Sequence, residues 1–81
     1  MIGPRVFNGI IDDIESYGLV ALDMGYDERE GRIAVETDGK RKDEDNIRYV
    51  LQTWKGNNYI KDFYMEADDS GFEYFVTIYG Y

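Results

Sequence analysis

The chain has 81 residues, and its 17 Asp and Glu against 9 Lys and Arg give a formal net charge of -8 at pH 7. It contains no His and no Cys, which excludes imidazole bases, thiol nucleophiles, disulfides and zinc sites built on nitrogen or sulfur. An acidic surface of this kind repels nucleic acid and anionic membranes, and it attracts basic grooves on other macromolecules.

Length and composition predict one globular domain over residues 1–81. Hydrophobic residues make up 43% and aromatic residues 16% of the chain, which is enough apolar surface for a core without disulfides. The N-terminal residues are not followed by the apolar stretch of a secretion signal, and no stretch approaches the roughly 18 apolar residues of a membrane span. We therefore expect a cytoplasmic protein that does not bind membranes.

The first predicted element is an amphipathic helix over residues 4–17. Pro4 suits its first turn, and Gly18 suits a left-handed stop after it. The apolar side chains recur at spacings of three and four residues, which places on one helical face Val6, Phe7, Ile10, Ile11, Ile14 and Tyr17.

After Gly18 the period of the apolar residues changes to two, which predicts an antiparallel hairpin with an acidic turn. Gly31 closes that turn and is available for a positive φ. The residues expected to face the core are Val20, Leu22, Met24, Ile33 and Val35. The residues expected to face away from the core are Ala21, Asp23, Ala34 and Glu36.

A second helix is predicted over residues 43–55, with Gly56 as its stop and the basic run 40–42 in a loop before it. Its apolar face consists of Ile47, Val50, Leu51 and Trp54. A second hairpin follows, with strands over residues 59–66 and 72–79 and a turn that closes on Gly71. The predicted fold is α+β in the order αββαββ, with two helices on one face of a four-stranded antiparallel sheet.

The uncovered face of that sheet is the predicted site, because carboxylates and aromatic side chains alternate on it. The predicted partner-binding residues are Asp23, Glu36, Asp62, Glu66 and Glu73 for charge, with Tyr64 and Tyr79 as anchors. Each of these residues alone is typical of a solvent-exposed sheet face. The eight Tyr of the chain and a last strand that is apolar on both sides nevertheless favour an interface. That last strand is alternatively a central strand or the seam of a homodimer.

Other classes of site are not predicted. Adjacent carboxylates such as 12–13 and 68–69 are interpreted as solvated surface pairs, so we expect no enzyme and no cofactor. The segment from Asp43 lacks most ligands of an EF-hand loop, and the turn at 27–30 is interpreted as an acidic loop, so we predict no metal. With a sequence pI near 4.3, and without a glycine-rich phosphate loop, we expect no direct nucleic-acid binding.

In composition the chain resembles the small phage proteins that block host defence nucleases, the anti-CRISPR and anti-restriction inhibitors. The resemblance implies an inhibitor that fills the basic groove of a nuclease or nucleoprotein complex, with carboxylates in the places of phosphates. Two alternatives remain open: an immunity protein or antitoxin that neutralises a basic protein partner, and a homodimeric interaction module.

Overall fold

A computed structural model describes residues 1–81 and shows an α+β fold. Its elements are α1 (Pro4–Glu15), β1 (Val20–Tyr26), β2 (Glu30–Glu36), α2 (Arg41–Gly56), β3 (Asp62–Ala67) and β4 (Glu73–Tyr79). The strands form one antiparallel sheet in the order β1-β2-β4-β3. The predicted αββαββ fold is confirmed, and β4 is a central strand, which explains why it is apolar on both sides.

The core lies between the two helices and one face of the sheet. Its fully buried aliphatic side chains come from both helices and both central strands, and they include Ile10, Ile14, Ile33, Val35, Ile47, Leu51, Val76 and Ile78. Burial of one such side chain stabilises a fold by about 1.5–3 kcal/mol relative to exposure. A core of this kind allows a small chain to fold without disulfides.

The two helices meet at a close contact between Gly9 and Trp54. A Cβ atom on Gly9 would come within 2.8 Å of Trp54 Cη2, so only glycine lets the indole ring lie this near α1. The indole Nε1 of Trp54 also donates a hydrogen bond of 2.8 Å to Asp13 Oδ2. The contact therefore combines close packing with one hydrogen bond between the helices.

The helix ends differ slightly from the predicted ones. α1 ends at Glu15, and Gly18 adopts the expected left-handed conformation with φ 82°. α2 begins at Arg41, so most of the basic run belongs to its first turn, and the loop predicted for that run is wrong. Gly56 is still helical, and the left-handed residue after α2 is Asn58 with φ 65°, a conformation that Asn tolerates.

The orientation predicted for β1 is wrong. Val20, Leu22 and Met24 are 46%, 43% and 58% exposed, whereas Ala21 is buried and pairs with Val35. The physical reason is that α1 packs against β1, and a small side chain at position 21 leaves room for that approach. The larger apolar side chains of this strand therefore point away from the helices.

A β-bulge ends this reversed stretch of β1. The register shifts between Asp23 and Gly25, and beyond the shift the strand again directs an aromatic ring towards the helices. The ring of Tyr26 lies 5.0 Å from that of Phe7, and its hydroxyl donates a hydrogen bond to the backbone oxygen of Ile2. The bulge thus returns β1 to the orientation that the core requires.

Gly31 does not have the predicted positive φ, because it lies within β2 rather than in the turn. Its function is steric: a Cβ atom at this position would come within 2.5 Å of Phe7 Cε1. The missing side chain lets the Phe7 ring lie directly on the sheet.

Candidate protein-binding face

The sheet face opposite the helices is uncovered, and we call it the open face. The strand register places on it Val20, Leu22, Glu30, Arg32, Ala34, Glu36, Asp62, Tyr64, Glu66, Glu73, Phe75, Thr77 and Tyr79. These residues alternate along each strand with residues that face the helices. Five carboxylates and one guanidinium give the open face a net charge of -4.

An apolar stripe crosses the open face from its β1 edge. Leu22, Ala34 and Phe75 lie directly opposite one another on three neighbouring strands. Leu22 and Phe75 are 43% and 41% exposed, whereas Ala34 is only 2% exposed because the larger side chains on both sides cover it. Val20 extends this stripe along β1.

Three carboxylates lie beside the stripe, and we call Glu36, Glu66 and Glu73 the carboxylate cluster. Glu36 of β2 lies directly opposite Glu73 of β4. The next pair along, Thr37 and Phe72, is joined by a backbone hydrogen bond of 2.9 Å, so the Glu36–Glu73 pair is not hydrogen-bonded. Side chains of such pairs approach most closely, with Cα atoms about 4.5 Å apart.

The third member of the cluster stands diagonally across from the second. Glu66 lies opposite Phe75, which places Glu66 and Glu73 at the diagonal spacing of about 7–8 Å. No member of the carboxylate cluster takes part in any of the four ion pairs of the structure. The cluster is thus a patch of negative charge without a positive neighbour in contact.

The other end of the open face carries compensated charges. Arg32 forms an ion pair of 3.0 Å with Glu30, and Lys55 forms one of 3.1 Å with Asp62. The pKa of Asp62 is lowered, first by the hydrogen bond from the backbone N–H of Phe63 and then by Lys55. These carboxylates are less available to a partner than those of the carboxylate cluster.

Two tyrosines stand at the same compensated end. Tyr79 lies between Glu30 and Asp62, and Tyr64 lies opposite Thr77, diagonally across from Tyr79. Tyr64 is 56% and Tyr79 is 39% exposed. Each therefore offers an aromatic ring with a hydroxyl to a partner.

Six of the seven predicted site residues lie together on the open face: Glu36, Asp62, Tyr64, Glu66, Glu73 and Tyr79. The placement predicted for Asp23 is wrong, because its strand partner Ile33 faces the helices and its Oδ1 accepts the Gly25 N–H at 2.8 Å. Val20 and Leu22 were missed for the same reason, since alternation along β1 fits either face. That these residues bind a partner stays a prediction.

A cavity of about 370 Å³ opens at the corner where the open face meets the start of α2. Its walls come from the α1–β1 turn, the end of β2 and the first turn of α2. Asp43 lines it and is 95% buried, and its Oδ2 has no hydrogen-bond partner. Burial raises the pKa of Asp43, and the neighbouring Asp38 carboxyl raises it further.

Asp38, on the loop that closes this cavity, has the opposite environment. Lys40 Nζ lies 3.1 Å from Asp38 Oδ2. The pKa of Asp38 is lowered, first by this contact and then by its contact with Asp43. The two carboxyls therefore form an unequal pair in which Asp43 holds a proton more readily.

Neither helix is long and apolar enough to cross a membrane.

No three acidic side chains are grouped so that they could hold a metal ion. At the β1–β2 turn, Asp27 Oδ1 instead accepts the backbone N–H groups of Arg29 and Glu30, which lowers the pKa of Asp27.

Comparisons with protein-family models, with curated proteins and with solved structures find no match to this chain.

Proposed function

We propose that this protein is an inhibitor that binds, through its open face, the basic groove of a nucleic-acid-processing enzyme. The observation that carries the proposal is the carboxylate cluster. Glu36, Glu66 and Glu73 are contiguous, lack cationic partners, and lie beside an exposed apolar stripe.

The carboxylate cluster is unfavourable for folding, which is why it supports a binding role. Like charges directly opposite each other destabilise a sheet by a few tenths of a kcal/mol to about 1 kcal/mol. A Thr or Lys in place of Glu73 would remove the repulsion from Glu36 without disturbing the core. Local features that oppose stability are typical of functional surfaces.

The chemistry of the open face fits a partner that normally binds phosphates. Carboxylates offer the partner's Lys and Arg side chains the acceptors that phosphates would offer. The apolar stripe and the two tyrosines supply dry contact area beside them. The net charge of -8 would also draw the protein towards a basic groove and speed association at low salt.

The proposed setting follows from this partner class. Such an inhibitor acts where defence nucleases act, which is the bacterial cytoplasm, and a phage is its proposed source. Blocking a groove requires no catalysis and no cofactor, only affinity.

The apolar stripe favours a second candidate, a homodimer through the open face. Two copies placed face to face would bury Leu22 and Phe75, which are both partly exposed. They would also bring together two surfaces that each carry a net charge of -4. We therefore rank self-association below binding to a basic partner.

The test is capture from a bacterial lysate that contains restriction and CRISPR effector nucleases. The immobilised protein is washed at about 0.1 M and about 1 M salt, where the Debye lengths are about 10 and 3 Å. The captured enzyme is then assayed for binding to its own labelled DNA or RNA, with and without added inhibitor.

We expect a nucleic-acid-processing enzyme that is retained at low salt, released at high salt and prevented from binding its nucleic acid. Recovery of a toxin would instead support the immunity alternative. Recovery of this chain alone, or an enzyme that still binds its nucleic acid, would contradict the inhibitor proposal.

A further inference from the structure

One edge of the sheet presents backbone groups that bond to nothing in the chain. β1 and β3 are the edge strands, and every second residue of an edge strand directs its N–H and C=O away from the sheet. On β3 the Asp68 N–H donates to the Glu73 oxygen at 2.8 Å, so Asp68 and the other even-numbered residues of this strand turn their backbone groups to β4. The backbone groups of Met65 and Ala67 therefore point outward.

This part of the β3 edge is open, and we call residues 64–68 the edge segment. No backbone hydrogen bond outside the helices and the paired strands involves Met65 or Ala67. Ala67 is exposed and Met65 is half-buried. The edge segment thus offers two N–H donors and two C=O acceptors to a strand that is added beside it.

The remaining parts of both edges are closed. At the start of β3, the Phe63 N–H bonds to Asp62 Oδ1 at 2.8 Å, and the same carboxylate pairs with Lys55. On the opposite edge, α1 packs against β1 and Ala21 is only 8% exposed. The open backbone groups are therefore concentrated at the edge segment, on the border of the open face.

The side chains of the edge segment determine which strand fits beside it. Tyr64 and Glu66 lie on the open face, whereas Met65 packs against the core and Ala67 leaves space on the helix side. An added antiparallel strand would place alternate side chains about 4.5–5.5 Å from Tyr64 and Glu66. Lys or Arg at these places can bond the carboxylate, and a guanidinium can stack on the tyrosine ring. The residues between them face Met65 and Ala67, where apolar side chains fit.

A second copy of this chain fits the edge segment less well. Pairing two β3 strands antiparallel about Met65 would bring the two Glu66 carboxylates to the diagonal spacing of about 7–8 Å. It would also join two open faces that each carry a net charge of -4. Charge complementarity therefore favours a basic strand.

We propose that the edge segment binds an extended segment of the basic partner as a fifth strand of the sheet, with Lys or Arg alternating with apolar residues. The inference rests on the proposed function, because it names the element of the partner that binds and the edge at which it pairs. Main-chain hydrogen bonds would supply affinity, and the alternating side chains would supply specificity.

The probe is the peptide acetyl-Arg-Val-Arg-Val-Arg-amide, added to the isotopically labelled protein. Amide shifts give its affinity, and hydrogen exchange reports which amides it protects. In the proposed pairing the two Val N–H groups bond to the edge segment and the Arg N–H groups point away. A peptide with both Val residues N-methylated therefore removes the pairing, and a peptide with two N-methylated Arg residues is the matched control of equal charge.

We expect saturable shifts along the edge segment and slower exchange at the amides of Met65 and Ala67, by about tenfold at a peptide concentration ten times Kd. N-methylation of Val should weaken binding at least about tenfold, because two hydrogen bonds are lost. N-methylation of Arg should change affinity by less than about threefold, since its N–H groups bond only to water.

Two kinds of protein variant test the edge segment from the other side. Ala67→Pro removes an outward N–H without breaking a bond to β4, and it should weaken the peptide about tenfold. Glu66→Gln should weaken it severalfold, whereas Glu15→Gln makes the same change in net charge at an exposed position on α1 and should have little effect.

Equal binding of the two N-methylated peptides would overturn the proposal, and this arm does not depend on whether Ala67→Pro folds. Protection that appears without peptide and rises with protein concentration would also overturn it, because a second copy would then occupy the edge. Failure here is separable from failure of the proposed function. If the peptide does not pair but the protein still displaces nucleic acid from a captured enzyme, only the added strand is wrong.

Discussion

At the scale of single residues, Asp43 is the carboxyl with the least favourable surroundings. We predict that Asp43→Asn stabilises the protein by about 1 kcal/mol at neutral pH, because Asn has the same shape, carries no charge and can donate to Asp38. For a chain of this size, that is a rise in Tm of about 4–8 °C. Thermal unfolding followed by circular dichroism measures it.

The pH dependence of this effect has a definite sign. Because the pKa of Asp43 is raised above its ordinary 3.8, the folded protein holds this proton more tightly than the unfolded chain. That contribution to stability is complete below the unfolded pKa and is lost as the pH rises through the folded pKa. The advantage of Asp43→Asn should therefore shrink as the pH falls towards 3.8.

The control for this prediction is Asp45→Asn, which removes an exposed charge near the N-terminus of the same helix. It should cost a few tenths of a kcal/mol through the helix dipole and stabilise at no pH. A lower Tm for Asp43→Asn than for the original protein at neutral pH would show that the buried charge is compensated.

Glu73 is the residue at which folding and binding are predicted to conflict. Glu73→Gln should stabilise the fold by about 0.5 kcal/mol, because it ends the repulsion from Glu36 across the strand pair. The corresponding rise in Tm is about 2–4 °C, and it should shrink at high salt. Glu66→Gln, at the longer diagonal spacing, should give a smaller rise, and equal rises would argue against the close pairing of 36 and 73.

At the scale of elements, glycine positions within β2 and α2 should respond to alanine in opposite directions. Gly31→Ala should cost about 1–3 kcal/mol, because its Cβ would overlap the Phe7 ring at 2.5 Å. Gly56→Ala should stabilise by about 0.5–1 kcal/mol, because the position is helical and nothing lies within 4 Å. Denaturant unfolding of both variants checks this, and a neutral Gly31→Ala would contradict the packing of α1 on β2.

The sequence predicts the elements well because each has its own period. The spacing of Ile10 and Ile14, and later of Ile47 and Leu51, is helical, and alternation in β4 separates Val76 and Ile78 from Phe75. It fails at β1, where both faces carry apolar residues and a bulge changes the parity at Asp23–Gly25. Which face of β1 is buried depends on how closely α1 approaches the sheet, and that distance is a property of the tertiary structure.

Much of the candidate face is predictable for the same reason. The carboxylates of β3 and β4 mark the solvent side of their strands, so Glu66 and Glu73 are located correctly. The contact of Asp38 with Asp43 is not predictable, because it depends on how the loop after β2 folds back over the first turn of α2. The unpartnered oxygen of Asp43 appears only once the core is packed.

At the scale of the whole molecule, half of the net negative charge lies on the open face. The open face has a net charge of -4 within a molecule of -8. For the basic partner that we propose, we expect long-range attraction to accelerate approach, and the carboxylate cluster and the apolar stripe to determine the bound orientation. Raising the salt should mainly slow association, whereas loss of the cluster should also speed dissociation.

The most direct measurement compares two neutralised variants in displacing nucleic acid from the captured enzyme. One is Glu36→Gln/Glu66→Gln/Glu73→Gln on the open face. The other is Asp12→Asn/Glu15→Gln/Asp69→Asn, which makes the same change in net charge at exposed positions elsewhere. We predict that the open-face variant loses at least about a hundredfold in affinity, because several charge-assisted contacts are removed. The control variant should lose only the small contribution of net charge to affinity. Equal losses of affinity in the two variants would contradict a specific acidic binding face.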